Sequence, residues 1–144
     1  MRRYPAFEPR EYTEWQPDAA LLREYRACVA ADAERARVIA EAGERVLLEL
    51  YAGMVRFRLH DIALKRWVRR GVISKAWLGT GEEAVTVGCV HALDRTRDVV
   101  APMIRNVGAF NEMGMPLARI FAGYLGTVEG PNLGRDGPFG ELSS

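Results

Sequence analysis

Arg105 follows the apolar run "DVVAPMI" and stands just before the amphipathic stretch "NVGAFNEMG". A guanidinium at the C-terminal end of a strand, beside a helix N-terminus, can hold a phosphate together with backbone N–H groups. Asn106 is then the expected cap of the helix that follows. An arginine in this position also serves as a structural partner for an acidic side chain, and spacing alone leaves both readings open.

Other chemistry is sparse. His60 and His91 are the only histidines, each on a helical segment with no His or Cys at metal-ligand spacing, so each reads as a helix-face residue with a satisfied ring. Glu82 and Glu83 are adjacent and would point about 100° apart on a helix, so they form no acid/base pair facing one substrate. Gly79 and Gly81 lack the rest of a dinucleotide loop and have no strong strand before them. No nucleophile elbow, P-loop or paired-histidine zinc motif occurs. Cys28 and Cys89, far apart in the chain, read as buried thiols of a reducing compartment rather than a disulfide framework.

The elements that must position these residues are mostly helical. Asp18 can cap a helix starting at Ala19, rich in Ala, Glu and Arg, with Gly43 as its break. From Glu44 a second helix carries the stripe Leu47, Leu50, Met54, Phe57, Asp61, Leu64 and Val68, and closes at Arg69, Arg70 and Gly71. Asp61 interrupts that stripe, and Arg58 and Lys65, at i−3 and i+4, are its expected partners. Thr80 and Glu83 form a capping-box pattern before a third helix, whose Ala84, Gly88 and Ala92 offer one small-residue face. A short buried strand is expected around Val99 to Ala101, then a short helix, then "PLARIFAGYLG" with Pro116 in its first turn.

The totals restrict the class of protein. The chain has 144 residues, enough for one domain, with Lys plus Arg at 20 against Asp plus Glu at 19 and a net charge of +1. No global field therefore favours nucleic acid or an anionic membrane, and any anion binding must be local. No run approaches the ~20 apolar residues of a membrane span. The N-terminus has Arg2 and Arg3 but then Glu8, Glu11 and Glu14 without an apolar core, so it is not read as a targeting segment, and the cytoplasm is the expected location.

In this order, "MVRFRLHDIALKRWVRRGVI", "GTGEEAVTVGCVHAL", "DVVAPMIRNVGAFNEMGMPLARIFAGYLG" and "GRDGP" resemble the N-terminal third of an alpha subunit. The family is the thiamine-diphosphate-dependent decarboxylase component of 2-oxo acid dehydrogenase complexes, with branched-chain 2-oxo acid, pyruvate and acetoin members. The resemblance covers about residues 44 to 138. It implies an α/β thiamine-diphosphate-binding fold, here incomplete and mainly helical with about one short parallel strand. The expected organisation is an arm over 1–18, the helical part of that domain over 19–125, and a Gly/Pro-rich loop over 126–144 at which the chain is truncated.

The same resemblance assigns the site. Gly81, Glu82 and Glu83 match the family's Gly-Gln/Glu-Glu segment, which opens a helix beneath the cofactor. The family's Tyr-Arg-Asp/Glu segment, whose Tyr and Arg reach the cofactor diphosphate, falls on Ile104, Arg105 and Asn106. Arg105 is then a ligand of the thiamine diphosphate, Ile104 lacks the phenol hydrogen bond, and Asn106 stands in place of a carboxylate. Gly140 stands where members carry a substrate-facing histidine. The Gly-Asp-Gly segment and later Asn that bind Mg2+ have no counterpart in this chain, so no metal ligand and no catalytic residue is assigned to it, and the isolated chain is expected to be inactive. Implied partners are a beta subunit, in a heterotetramer, and the lipoyl-bearing acyltransferase that accepts the acyl group. A different reading is a non-catalytic helical scaffold that binds a beta subunit without cofactor. A fragment with helices but few strands should also expose apolar helix faces and behave poorly as a monomer.

Overall fold

The structure, a computed structural model, describes residues 18–135. The aromatic arm around Tyr4, Phe7, Tyr12 and Trp15, and the positions Asp136, Gly137 and Gly140, lie outside the described residues. Five helices follow in order: α1 (Ala19–Ala30), α2 (Ala33–Arg69), α3 (Glu83–His91), α4 (Gly108–Glu112) and α5 (Leu117–Tyr124). The chain forms two compact units, Met1–Leu47 and Leu48–Ser144.

In the first unit, local chemistry accounts for the helices. Asp18 Oδ1 accepts hydrogen bonds from the backbone N–H groups of Ala20 and Leu21 at 2.8 and 3.3 Å, as a cap should. The single helix expected up to Gly43 is instead broken at Ala31 and Asp32, because Asp32 Oδ1 takes the N–H of Arg35 at 3.0 Å and so starts α2. Arg37 bridges Glu34 and Glu41 one turn to either side. Alpha-1 has no buried residue. Cys28 therefore lies exposed, not buried as its sequence context suggests. Gly43 leaves the helical region at φ 70° and ψ 163°, which is the expected break.

In the second unit, the later part of α2 provides the main packing surface. Phe57, His60, Asp61 and Leu64 are buried along it, and Gly71 past its end takes φ 71°, the left-handed conformation that closes helices. Phe57 sits at the centre: a Cβ on Gly79 or on Gly108 would lie 2.5 or 2.6 Å from its ring. Val90, Ala109 and Met113 form one buried cluster between α3 and α4, and Val107, Phe110, Met115 and Ile120 form another that reaches α5. Burying side chains of this size gives roughly 1.5–3 kcal/mol each, which short helices such as α4 need because they are marginal on their own.

Three sequence expectations are corrected. Among the described residues no strand forms around Val99 to Ala101; Val100 makes only an isolated bridge. A strand needs several successive backbone pairings with its neighbour, and a bridge at one residue does not supply them. On α3 the packed face is Glu83, Thr86, Val87 and Val90, whereas Ala84 and Ala92 of the small-residue face are exposed. Cys89 shares the outer side and is exposed as well, against expectation.

A second stripe on α2, Leu48, Tyr51, Val55 and Leu59, remains open, with Leu48 59%, Tyr51 62% and Leu59 58% exposed. This is the uncovered apolar helix face that the sequence leads one to expect. No helix among the described residues is long and apolar enough to cross a membrane.

Candidate functional site

Residues 101–103 carry no regular structure and 104–107 turn into α4, with the N–H of Asn106 bonded to the carbonyl of Met103 at 2.8 Å. Val107, 1% exposed, anchors the turn in the core and leaves Ile104, 45% exposed, and Arg105 facing outward. Gly79 lets the 79–82 loop approach the same turn, because a Cβ there would meet the Arg105 carbonyl. The approach brings Glu82 against Arg105 and Asn106. Arg105 Nε donates to Glu82 Oε1 at 2.9 Å, and Asn106 Nδ2 donates to Glu82 Oε2 at 2.8 Å and to Thr86 Oγ1 at 3.0 Å.

Asn106 is therefore not the side-chain cap of the following helix. Val107 holds the cap position of α4, no side chain bonds there, and the Asn106 amide is turned toward α3. The Asn106 amide and, after it, the Arg105 guanidinium hold the Glu82 carboxyl below the usual carboxylate range. Of the two readings of Arg105 that the sequence leaves open, the pairing with an acidic residue is present in the structure. The Nη groups of Arg105 make no hydrogen bond to a described residue, and its side chain is 43% exposed.

Other charged residues take partners that local spacing does not give. Arg58 pairs with Glu83 rather than with Asp61, and Glu83 Oε2 also accepts the N–H of Gly81 at 2.9 Å. The capping box is thus half formed: Glu83 reaches back, but the Thr80 hydroxyl donates to Asp61 Oδ2 at 2.9 Å instead of capping. Glu82 and Glu83 diverge, as adjacent helix positions should, to separate arginines. Arg56 holds the buried Glu112 at 2.8 Å. His91 lies 3.3 Å from Glu49. His60 departs from the satisfied ring expected of it: it is 4% exposed, neither ring nitrogen has a hydrogen-bond partner, and Nδ1 is 3.4 Å from Asp61 Oδ1. Its ring instead packs against Phe121 and Tyr124 at 5.1 and 5.8 Å.

The donor set can be tested against the two groups implied by the resemblance. A part-exposed guanidinium whose Nη groups make no hydrogen bond to a described residue fits one phosphate of a diphosphate. A divalent cation needs several oxygen ligands, and the described residues contain no cluster of three His, Cys, Asp or Glu that could hold a metal. The metal therefore does not fit these residues. The resemblance placed Glu82 in the segment beneath the cofactor, but nothing in the sequence signalled that its carboxylate pairs with Arg105 and Asn106.

No solved structure matches this chain significantly. The family model described as "Dehydrogenase E1 component" matches residues 51–141, a span that runs from α2 through the Arg105 turn and α5. With a match over more than half its length, the chain belongs to the dehydrogenase E1 component family.

Proposed function

We propose that the chain is part of an alpha-type subunit of the E1 component of a 2-oxo acid dehydrogenase complex, with Arg105 contributing to the binding of thiamine diphosphate. Family membership supports the reaction class, and the outward-facing guanidinium of Arg105 is the observation that carries the cofactor contact. When bound, thiamine diphosphate supplies the carbanion chemistry of oxidative decarboxylation. The chain's own part is positional. Arg105 holds a phosphate oxygen through its Nη groups, the packed Phe57 and Val107 fix the turn that carries it, and Ile104 adds an apolar contact without a hydrogen bond. Ligands for Mg2+ come from outside the described residues. In this reading a beta subunit completes the site, the acyl group passes to a lipoyl-bearing acyltransferase, the substrate is a branched-chain 2-oxo acid, pyruvate or acetoin-type compound, and the setting is cytoplasmic.

Thiamine diphosphate affinity of the component assembled with its beta subunit tests this reading. Arg105→Ala should weaken binding by about tenfold or more, the size of one charge-assisted contact to phosphate. Unchanged affinity would remove Arg105 from the site.

A second reading is a non-catalytic helical partner that binds the beta subunit without cofactor. The open Leu48, Tyr51, Val55 and Leu59 face favours it, as does the neutralisation of Arg105 by Glu82. Beta-subunit affinity that is the same with and without thiamine diphosphate is its distinguishing result.

A further inference from the structure

The Glu82 carboxylate lies across Arg105 and Asn106 as a bound anion would. One oxygen takes the Arg105 Nε at 2.9 Å and the other takes the Asn106 amide at 2.8 Å. Nothing in α3 requires this placement. Glu82 occupies the N-cap position of α3, yet its side chain makes no hydrogen bond to that helix's N–H groups and turns away toward the Arg105 loop. The neighbouring Glu83 cannot exchange with it, being held by Arg58 and by the N–H of Gly81.

We propose that Glu82 is an internal anion that competes with the ligand's diphosphate at the Arg105 Nε and the Asn106 amide and repels it from the neighbouring Nη groups, so that the seat binds a diphosphate fully only when Glu82 swings away. This rests on the reading of Arg105 as a diphosphate contact. Glu82 and Arg105 are 41% and 43% exposed, and a pair so solvated is weak enough to open readily. While closed it offsets the Arg105 cation that would attract a stray phosphate. A singly charged anion has little to offer against a tethered carboxylate. A diphosphate carries more charge and can bind the Nη groups that Glu82 leaves open while its second phosphate contests the Nε and Asn106 positions, so it can displace Glu82. The contact therefore acts as a filter on the charge of the incoming ligand, set by a residue on a different helix from the one after Arg105.

The test is a calorimetric titration of the full 144-residue chain with inorganic pyrophosphate, and separately with orthophosphate, using the wild type, Glu82→Gln, Arg105→Ala and the double variant. Glutamine keeps the shape and an acceptor oxygen but removes the charge. Glu82→Gln should bind pyrophosphate about tenfold tighter than wild type, as expected for one unit charge removed beside a partly solvated anion. It should also narrow the preference for pyrophosphate over orthophosphate, and Arg105→Ala should abolish both effects. If Arg105→Ala weakens binding but Glu82→Gln leaves it unchanged, the competition is wrong while the diphosphate contact stands. If Arg105→Ala has no effect in either background, the contact itself is wrong. No binding by Glu82→Gln overturns the competition, because the opened seat should accept the probe. The Arg105 Nε–H resonance, followed by NMR with and without Glu82→Gln, reports the pair independently of any ligand. An unshifted resonance would mean that the pair does not form in solution.

Discussion

The ring of Phe57 occupies the space that a side chain at Gly108 would need: a Cβ there would lie 2.6 Å from the ring. Phe57 is 3% exposed and has no room to retreat. Gly108→Ala should therefore cost about 1–3 kcal/mol by overpacking, whereas Phe57→Ala should cost about 3–5 kcal/mol by leaving a cavity. Pairing Gly108→Ala with Phe57→Leu should recover part of the first loss. Urea unfolding of the three variants checks this, and a stable Gly108→Ala would mean that the ring is not fixed there.

Arg58 is the side-chain cation that holds Glu83, whose residue is 7% exposed. Removing it leaves a poorly solvated carboxylate with only the N–H of Gly81. Arg58→Leu should lower stability by about 1–3 kcal/mol, the cost of a buried acceptor deprived of its partner. Adding Glu83→Gln should restore much of the loss, because the uncompensated charge is gone. If the two single losses simply add, measured by denaturant unfolding, the residues do not act as a pair.

The acid limb of stability follows from depressed carboxyls. Glu34 is held low by Arg37, Glu82 by Asn106 and then Arg105, and Asp94 by the Thr96 hydroxyl and N–H. A carboxyl whose folded value lies below its ordinary value binds fewer protons when folded. Its stabilisation is present above the ordinary value, 4.5 for a glutamate, and is lost as pH falls through the lower folded value. Stability should decline below pH 4.5, and Asn106→Ala should flatten part of that decline. A melting temperature independent of pH through that window would contradict it.

At the alkaline end the sign reverses. Burial, reinforced by the nearby Asp61 charge, pushes the Tyr124 phenol well above its ordinary value of 10.0. The unfolded chain ionises this tyrosine near pH 10.0 while the folded chain keeps its proton, so stability is full below that pH and falls as pH rises above it. In a phenolate absorbance titration, Tyr124 should ionise only together with alkaline unfolding. Tyr124→Phe should remove the delayed step, and a delayed step that survives this change would assign it elsewhere.

The open face of α2 has a consequence for handling. Tyr51 and Leu59 lie on one stripe and are 62% and 58% exposed, with Leu48 beside them. The chain alone should associate as its concentration rises. Tyr51→Ser with Leu59→Ser should suppress this while changing stability by no more than about 0.5 kcal/mol per substitution, as is usual for surface positions. Light scattering across a dilution series decides, and a monodisperse wild type at high concentration would count against it.

The sequence by itself determined the elements whose causes are local. Asp18 caps because its oxygen reaches N–H groups two and three residues on, Gly43 and Gly71 break or close helices because only glycine enters their conformations freely, and Pro116 precedes α5 because it lacks the N–H a helix interior would require. The apolar stripe through Phe57 and Leu64 was legible from its spacing for the same reason. The tertiary structure decided the pairings. Arg58 had Asp61 three residues away and took Glu83; Thr80 had the start of α3 and took Asp61; Arg105 had solvent and took Glu82. Local spacing offers each charged or polar group several partners of similar energy, differing by tenths of a kcal/mol, and the approach of distant segments around Phe57 selects among them. The strand expected near Val100 failed on the same ground: a short apolar run describes one chain segment, but a strand exists only when another segment pairs with its backbone over several residues, and here the pairing stops at one bridge.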